Sequence, residues 1–268
     1  LIPLRDNKIN ILFYPLTKNL EPDWKKIKSM LELNNKVKAF VIVHYYGIQV
    51  PLNKSIKFCK KYDLTLIEDC AHLIKKKNYS NSISIYSPRK LFSLPELGIL
   101  ISNYKLKQIY SSKVSFIIVW FFKQILKKSL LILRIKNFFY KNQVDIQFKS
   151  FNKKNKYPSS LSLKILKFHE SNISSFQKKR FENYLFILNS IKNLNNIKPL
   201  FKSLPKDSSP YVLPLIIKKK YNEFKFALNK MGVFATSWSD MPPEIYSYSN
   251  RKSFELWLSK NLLLIPIH

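Results

Sequence analysis

The sequence predicts an α/β protein, a parallel-sheet domain followed by a smaller α/β domain, and three observations predict it. Short apolar runs at residues 10–16, 38–46, 64–69 and 82–87 alternate with stretches of helical spacing, the order that a sheet with crossover helices requires. The run 38–46, KAFVIVHYY, is apolar almost throughout, as expected of a parallel strand buried on both faces. A second alternation begins after residue 160 and ends on the apolar LLLIPIH at 262–268.

Taken in order, NILFYPL at 10–16 reads as a strand and 20–31 as a helix with Pro22 in its first turn. The strand at 38–46 is closed by Gly47, and 52–62 reads as a helix presenting Ile56 and Cys59 on one face. LTLIED at 64–69, SISIYS at 82–87 and GILISN at 98–103 read as further strands. Residues 104–157 are helical in length, rich in aromatics and studded with lysines; they read as helices packed on the sheet or as a basic membrane-surface segment. Beyond the loop at 151–160, helical patterns fill 161–193. Then follow a strand at 211–218, a helix at 222–232 closed by Gly232, a strand at 233–238, a helix at 251–260 and a last strand. The expected division is 1–110, 111–160 (a helical connector) and 161–268.

A chain of 268 residues with 46% hydrophobic and 15% aromatic side chains is not a disordered tail. Its three glycines exclude a glycine-rich phosphate cradle. The formal charge of +31, from 47 basic against 16 acidic residues, would attract polyanions. The lysines are spread rather than clustered, however, which points to compositional drift, and nucleic acid is not the expected partner. Cys59 and Cys70 are too few for a disulfide framework and lack metal-site spacing, so no metal is expected and both read as buried thiols of a reducing, cytoplasmic setting. The longest uncharged apolar run, 114–122, is too short to cross a bilayer.

Chemistry concentrates where the strands end. In open α/β sheets ligands gather at the carboxyl ends of the strands. Asp69 closes one apolar run, and Lys90 follows another in the context Ser87-Pro88-Arg89-Lys90. A carboxylate and an amine so placed suit a carbonyl-bearing cofactor.

HYYG at 44–47, IEDCAH at 67–72, and SPRK at 87–90 followed by LPELGILISN resemble the DegT/DnrJ/EryC1/StrS aminotransferases, which use pyridoxal 5′-phosphate and act on sugars. RFENY at 180–184, PYVLPL at 210–215 and the final LLLIPIH are similar to that family's C-terminal domain. The resemblance implies a partial aspartate-aminotransferase-like large domain, truncated at its N-terminus, and a homodimer. By the same resemblance Asp69 would face the pyridine nitrogen, Lys90 would carry the cofactor, His72 would meet the ring oxygen and Ser87 the phosphate, with Tyr86 or Ser84 as substitutes. His44 and Tyr46 would border the substrate or pack beneath it. The implied reaction moves an amino group from an amino acid such as glutamate to a nucleotide-linked keto-sugar in cell-envelope polysaccharide synthesis. Two departures stand out: Glu96-Leu97-Gly98 replaces an acidic-Gly-Gly pattern, and the small-residue turn that grips the cofactor phosphate has no counterpart. Two alternatives therefore stand beside the enzyme: a truncated, inactive relative, and a basic peripheral protein using residues 104–141.

Overall fold

The computed structural model describes residues 2–74, 82–92, 94–103, 110–111, 156–205, 208–238, 241–248 and 253–268. The expected helical connector at 111–160, with the basic stretch at 104–141, falls almost entirely outside them. Among the described residues no helix is long and apolar enough to cross a membrane.

The first sheet contains β1 (Ala39–Val43), β2 (Thr65–Asp69), β3 (Ile83–Tyr86) and β4 (Ile99–Ile101), in that order. β1, β2 and β3 are parallel and β4 is antiparallel to β3. Helix α1 (Ile2–Asp6) opens the described chain, α2 (Trp24–Leu33) precedes β1, and α3 (Asn53–Lys61) forms the crossover from β1 to β2. The mixed α/β class and the parallel sheet are as the alternation of patterns predicts.

Three local expectations change. Residues 10–16 form no strand; Leu16 makes only an isolated bridge to Pro22, because Pro15 lacks a backbone donor and Pro22 is held in that bridge. The helix accordingly starts after Pro22, at Trp24, with the Asp23 side chain accepting the Lys26 N–H at 3.3 Å as an N-cap. β1 is also not buried on both faces. Phe40, Ile42 and Leu66 pack with Ile27, Leu52 and Cys59 beneath α2 and α3, whereas Val41 and Ile85 on the other face are partly exposed.

The second sheet, β7 (Ile197–Pro199), β8 (Val212–Ile217), β10 (Leu262–Pro266) and β9 (Thr236–Ser237), is antiparallel throughout. A separate two-residue pair joins β5 (Tyr110–Ser111) to β6 (Lys156–Tyr157). Helices α4 (Ser160–Glu170), α5 (Ile173–Ser190), α6 (Tyr221–Lys230), α7 (Pro243–Tyr248) and α8 (Phe254–Asn261) complete the chain. Central β8 is buried over nearly its whole length; Leu213, Leu215 and Ile217 pack with Tyr184 of α5, and Val212 packs with Leu258 of α8. Gly232 has φ +86° and follows α6 as a left-handed cap, its N–H donating to Asn229 O at 3.1 Å. The expected strand at 233–238 shrinks to Thr236–Ser237.

The two sheets meet at the turn after β1. Leu20 and Tyr46 share one core with Val212, Leu258 and Leu262. Gly47 has φ +81°, and a Cβ built there would lie 2.7 Å from Tyr211 N and 3.0 Å from His72 O, and closer still to Ser209 O. All three neighbours are backbone, so nothing can rotate away, and a side chain at 47 is excluded both by space and by dihedral. Gly47→Ala is expected to lower unfolding stability by about 3 kcal/mol in urea titration. Gly98→Ala, whose Cβ would meet only Tyr86 O at 3.8 Å, should stay within about 1 kcal/mol of the parent.

Candidate active site at the strand ends

Parallel pairing brings the carboxyl ends of three strands level. Val43, Asp69 and Ile85 are in register, the His44 N–H donates to Asp69 O at 3.1 Å, and the Cys70 N–H donates to Ile85 O at 2.8 Å. The side chains that follow β1, β2 and β3 are therefore delivered to one edge of the sheet.

Asp69 Oδ1 accepts the Ala71 N–H at 3.0 Å, an Asx-type contact that fixes the carboxylate and starts the turn carrying His72. Lys90 ends a single 3₁₀ turn, Pro88–Lys90, whose Lys90 N–H donates to Ser87 O at 3.0 Å. Its Nζ lies 3.2 Å from His72 Nε2. Burial, and then the Lys90 charge, lower the His72 pKa to about 4 against the smaller opposing pull of Asp69. The imidazole is thus neutral at pH 7, and its Nε2 accepts from the amine. Lys90 is itself lowered, first by desolvation, with Asp69 acting in the opposite sense and Arg89 in the same sense. Asp69, His72 and Lys90 form one electrostatic group.

The lysine turn is braced from the second half of the chain. Phe92, Leu94 and Leu97 pack against Ile165 and Leu166 of α4 and Ile173 of α5. Glu96 Oε1 accepts the Ser159 N–H at 2.8 Å, where Ser159 caps α4. Arg180 Nη2 donates to Leu91 O at 3.1 Å. The RFENY motif now has a physical content: on one face of α5, Arg180, Asn183 and Tyr184 reach Leu91 O, Ile267 O and Phe201 O.

His44 and Tyr46, the expected substrate borders, lie beneath this group. His44 is 1% exposed and Tyr46 3%. The Val50 N–H donates to His44 Nδ1 at 3.1 Å, so Nε2 carries the proton and donates to Glu68 Oε2 at 3.0 Å. Both ring nitrogens are engaged and neither is offered to a ligand. Glu68, missed at the sequence level, also accepts from Ser82 Oγ and from Ser84 Oγ. His44, Glu68 and Cys70 bring three possible metal-ligand atoms within 4.8 Å. With Val50 occupying Nδ1, the Nε2 lone pair is not available to a cation, and the group reads as a hydrogen-bond network tying β1, β2 and β3 together. Ser84 and Tyr86, named as substitutes for Ser87, are likewise engaged, with Glu68 and with Cys70.

Residues 15–93 match the model of the DegT/DnrJ/EryC1/StrS aminotransferase family. That stretch is less than a third of the chain. It holds His44, Tyr46, Asp69, His72, Ser87 and Lys90 together. A search of curated proteins finds no match. Solved structures share the fold at low identity. An aminotransferase of Helicobacter pylori involved in pseudoaminic acid biosynthesis, PseC, is 18% identical, with TM-score 0.64 over 99% of this chain and 70% of its own. The Micromonospora echinospora sugar aminotransferase CalS13 is 15% identical, with TM-score 0.66 over 99% and 71%. GDP-4-keto-6-deoxymannose-3-dehydratase is 17% identical, with TM-score 0.64 over 99% and 72%. The fold is thus shared with sugar aminotransferases and with a dehydratase, so it hosts more than one reaction and does not by itself fix the chemistry.

The depressed His72 pKa predicts a pH dependence. An unfolded chain protonates this imidazole near 6.5 and the folded chain only near 4, so between those values the unfolded state binds more protons. Stability therefore rises with pH across that window and is complete above it. Urea midpoints should fall as pH drops from 6.5 to 4, by on the order of 2 kcal/mol in stability, and His72→Asn should flatten that slope.

Proposed function

We propose that the chain acts as a pyridoxal 5′-phosphate-dependent aminotransferase, moving an amino group from an amino acid such as glutamate to a nucleotide-linked keto-sugar. The observation that carries this reading is the gathering of Asp69, His72 and Lys90 at the carboxyl ends of parallel strands, with the amine of the exposed Lys90 3.2 Å from a neutral imidazole and its pKa lowered. The residues present fit that cofactor: a carboxylate oriented by a backbone N–H suits a protonated pyridine nitrogen, and a lowered amine suits carbonyl condensation. When bound, the cofactor would supply an electron-accepting ring.

The roles of the chain's own groups follow. Asp69 would hold a positive ring nitrogen through its carboxylate. Lys90 Nζ would hold the cofactor's carbonyl end and move a proton at the reacting substrate carbon. His72 Nε2 accepts from that amine and fixes its direction. Ser87, opening the 3₁₀ turn, is the hydroxyl assigned to the cofactor phosphate. His44 and Tyr46 are assigned no direct substrate contact; buried beneath the group, they support it through Glu68 and through the core shared with Val212 and Leu258. The biological setting we infer is a cytoplasmic homodimer serving cell-envelope polysaccharide synthesis, supported by the kinship of residues 15–93 with sugar aminotransferases.

The test is spectroscopic. Mixing the purified chain with pyridoxal phosphate should give a visible absorption band, and borohydride should fix the cofactor on Lys90 in peptide mass spectra. Lys90→Ala should abolish both signals, and Asp69→Ala should weaken cofactor binding by at least about 10-fold. A folded chain with no band would instead indicate an inactive relative of the same fold.

A further inference from the structure

The group around Lys90 is not completed by the first sheet alone. The segment leading into β8 lies across the strand ends. There the Tyr211 N–H donates to Tyr46 O at 2.7 Å, and Gly47 admits the backbone of residues 209 and 211. This docking brings the Tyr211 ring onto His72, with centroids 4.6 Å apart and planes within 8°. Tyr46 is also nearly parallel to His72, but at 6.5 Å it is too far for firm contact. Tyr211 is therefore the flat neighbour that decides how the imidazole sits, and the imidazole receives the Lys90 amine.

We propose that Tyr211 is a positioning residue for Lys90: its ring, delivered by the C-terminal sheet, holds His72 at the angle from which Nε2 accepts the lysine amine. The catalytic meaning of this device rests on the proposed role of Lys90, but the geometry stands without it. A hydrophobic residue of similar volume could fill the space, yet an aromatic face is needed to keep a five-membered ring parallel to it. Arg180 touches the same lysine turn at Leu91 O, so the C-terminal half grips the turn by its backbone and the amine through the stack. The charged groups that act on this pair are Asp69 and Arg89 from the first half, with Arg180 set behind Tyr211.

The experiment compares Tyr211→Phe, Tyr211→Leu and Tyr211→Ala in the intact chain, without cofactor. The chain has four histidines, so the His72 ring can be assigned by NMR through His72→Asn and titrated. Lys90 is followed in parallel by reductive methylation at pH 8 and peptide mass spectrometry. Tyr211→Phe should leave both profiles unchanged. Tyr211→Leu and Tyr211→Ala should move the His72 midpoint from about 4 towards 6.5 and slow Lys90 methylation by roughly 3- to 10-fold as the amine regains solvent. Tyr211→Leu retains the backbone contact to Tyr46 and serves if Tyr211→Ala does not fold. A folded Tyr211→Leu chain with unchanged His72 and Lys90 profiles would overturn the proposal. Shifted profiles in a chain that forms no pyridoxal phosphate band would sink the aminotransferase reading while leaving the positioning role standing. A band in a chain whose profiles ignore Tyr211 would do the reverse.

Discussion

The close approach at Gly47 is the constraint on which the rest of the arrangement depends. Backbone from residues 72, 209 and 211 converges on a position where a Cβ would overlap all three. The preceding Tyr46 also has a positive φ, 57°, so two adjacent residues of the turn after β1 are left-handed and the non-glycine one carries the strain. That turn puts the Tyr46 side chain into a core shared with Val212 and Leu258 and leaves its carbonyl to accept from Tyr211. One tight turn thereby fixes how the second sheet meets the strand ends of the first, and with it the stacking of Tyr211 on His72.

Beneath the site lies the second requirement, a buried polar network. Glu68 and His44 are essentially inaccessible, and a buried carboxylate is costly unless its oxygens are well supplied with donors. Here His44, Ser82 and Ser84 supply them, one from beside β1 and two from the segment at β3. Because Glu68 and Asp69 are consecutive on β2, their side chains leave opposite faces of the sheet. Glu68 ties the strands together on the covered face, and Asp69 is presented on the other. A slip of one residue in β2 would bury the wrong carboxylate, so the network under the sheet also selects the register that exposes Asp69.

How legible this was in the sequence depended on the range of the interaction. β2, β3, β8, β10 and the principal helices follow from local periodicity and capping, and Gly232 marks the end of α6 by its own dihedral freedom. Asp69 and Lys90 could be singled out from a strand end and a Ser-x-x-Lys context, and His72 only from the resemblance of IEDCAH to the family. The N-terminal strand failed because Pro15 and Pro22 override an apolar pattern, and β7, only three residues long, has too short a signal to read. Tyr211, Arg180 and Glu96 could be named only as parts of motifs, since their partners lie far away in sequence: His72, Leu91 and Ser159. No periodicity reports a contact of that kind. For His44, a position at a strand end left both a substrate border and a packing role open, and only the Val50 N–H and Glu68 show how its two nitrogens are engaged.

The electrostatic setting explains why one lysine among so many basic residues is chemically distinct. With 47 basic side chains, proximity to other positive charge is common and would by itself mark no residue. Desolvation is the largest influence on Lys90, and it acts because the turn is packed against α4 and α5 and the amine is set on His72. Asp69 pulls the other way, so the amine is not stripped of its proton outright; it is held between a carboxylate that favours the charged form and an environment that disfavours it. An amine poised in that way can both add to a carbonyl and return a proton. The pull of Asp69 reaches the Ser-Pro-Arg-Lys turn from β2, while Arg89 within the turn adds to the lowering. Because the turn is also braced by α4, α5 and Arg180, the setting of Lys90 depends on how the two sheets are joined, and the turn that joins them is built on a residue with no side chain.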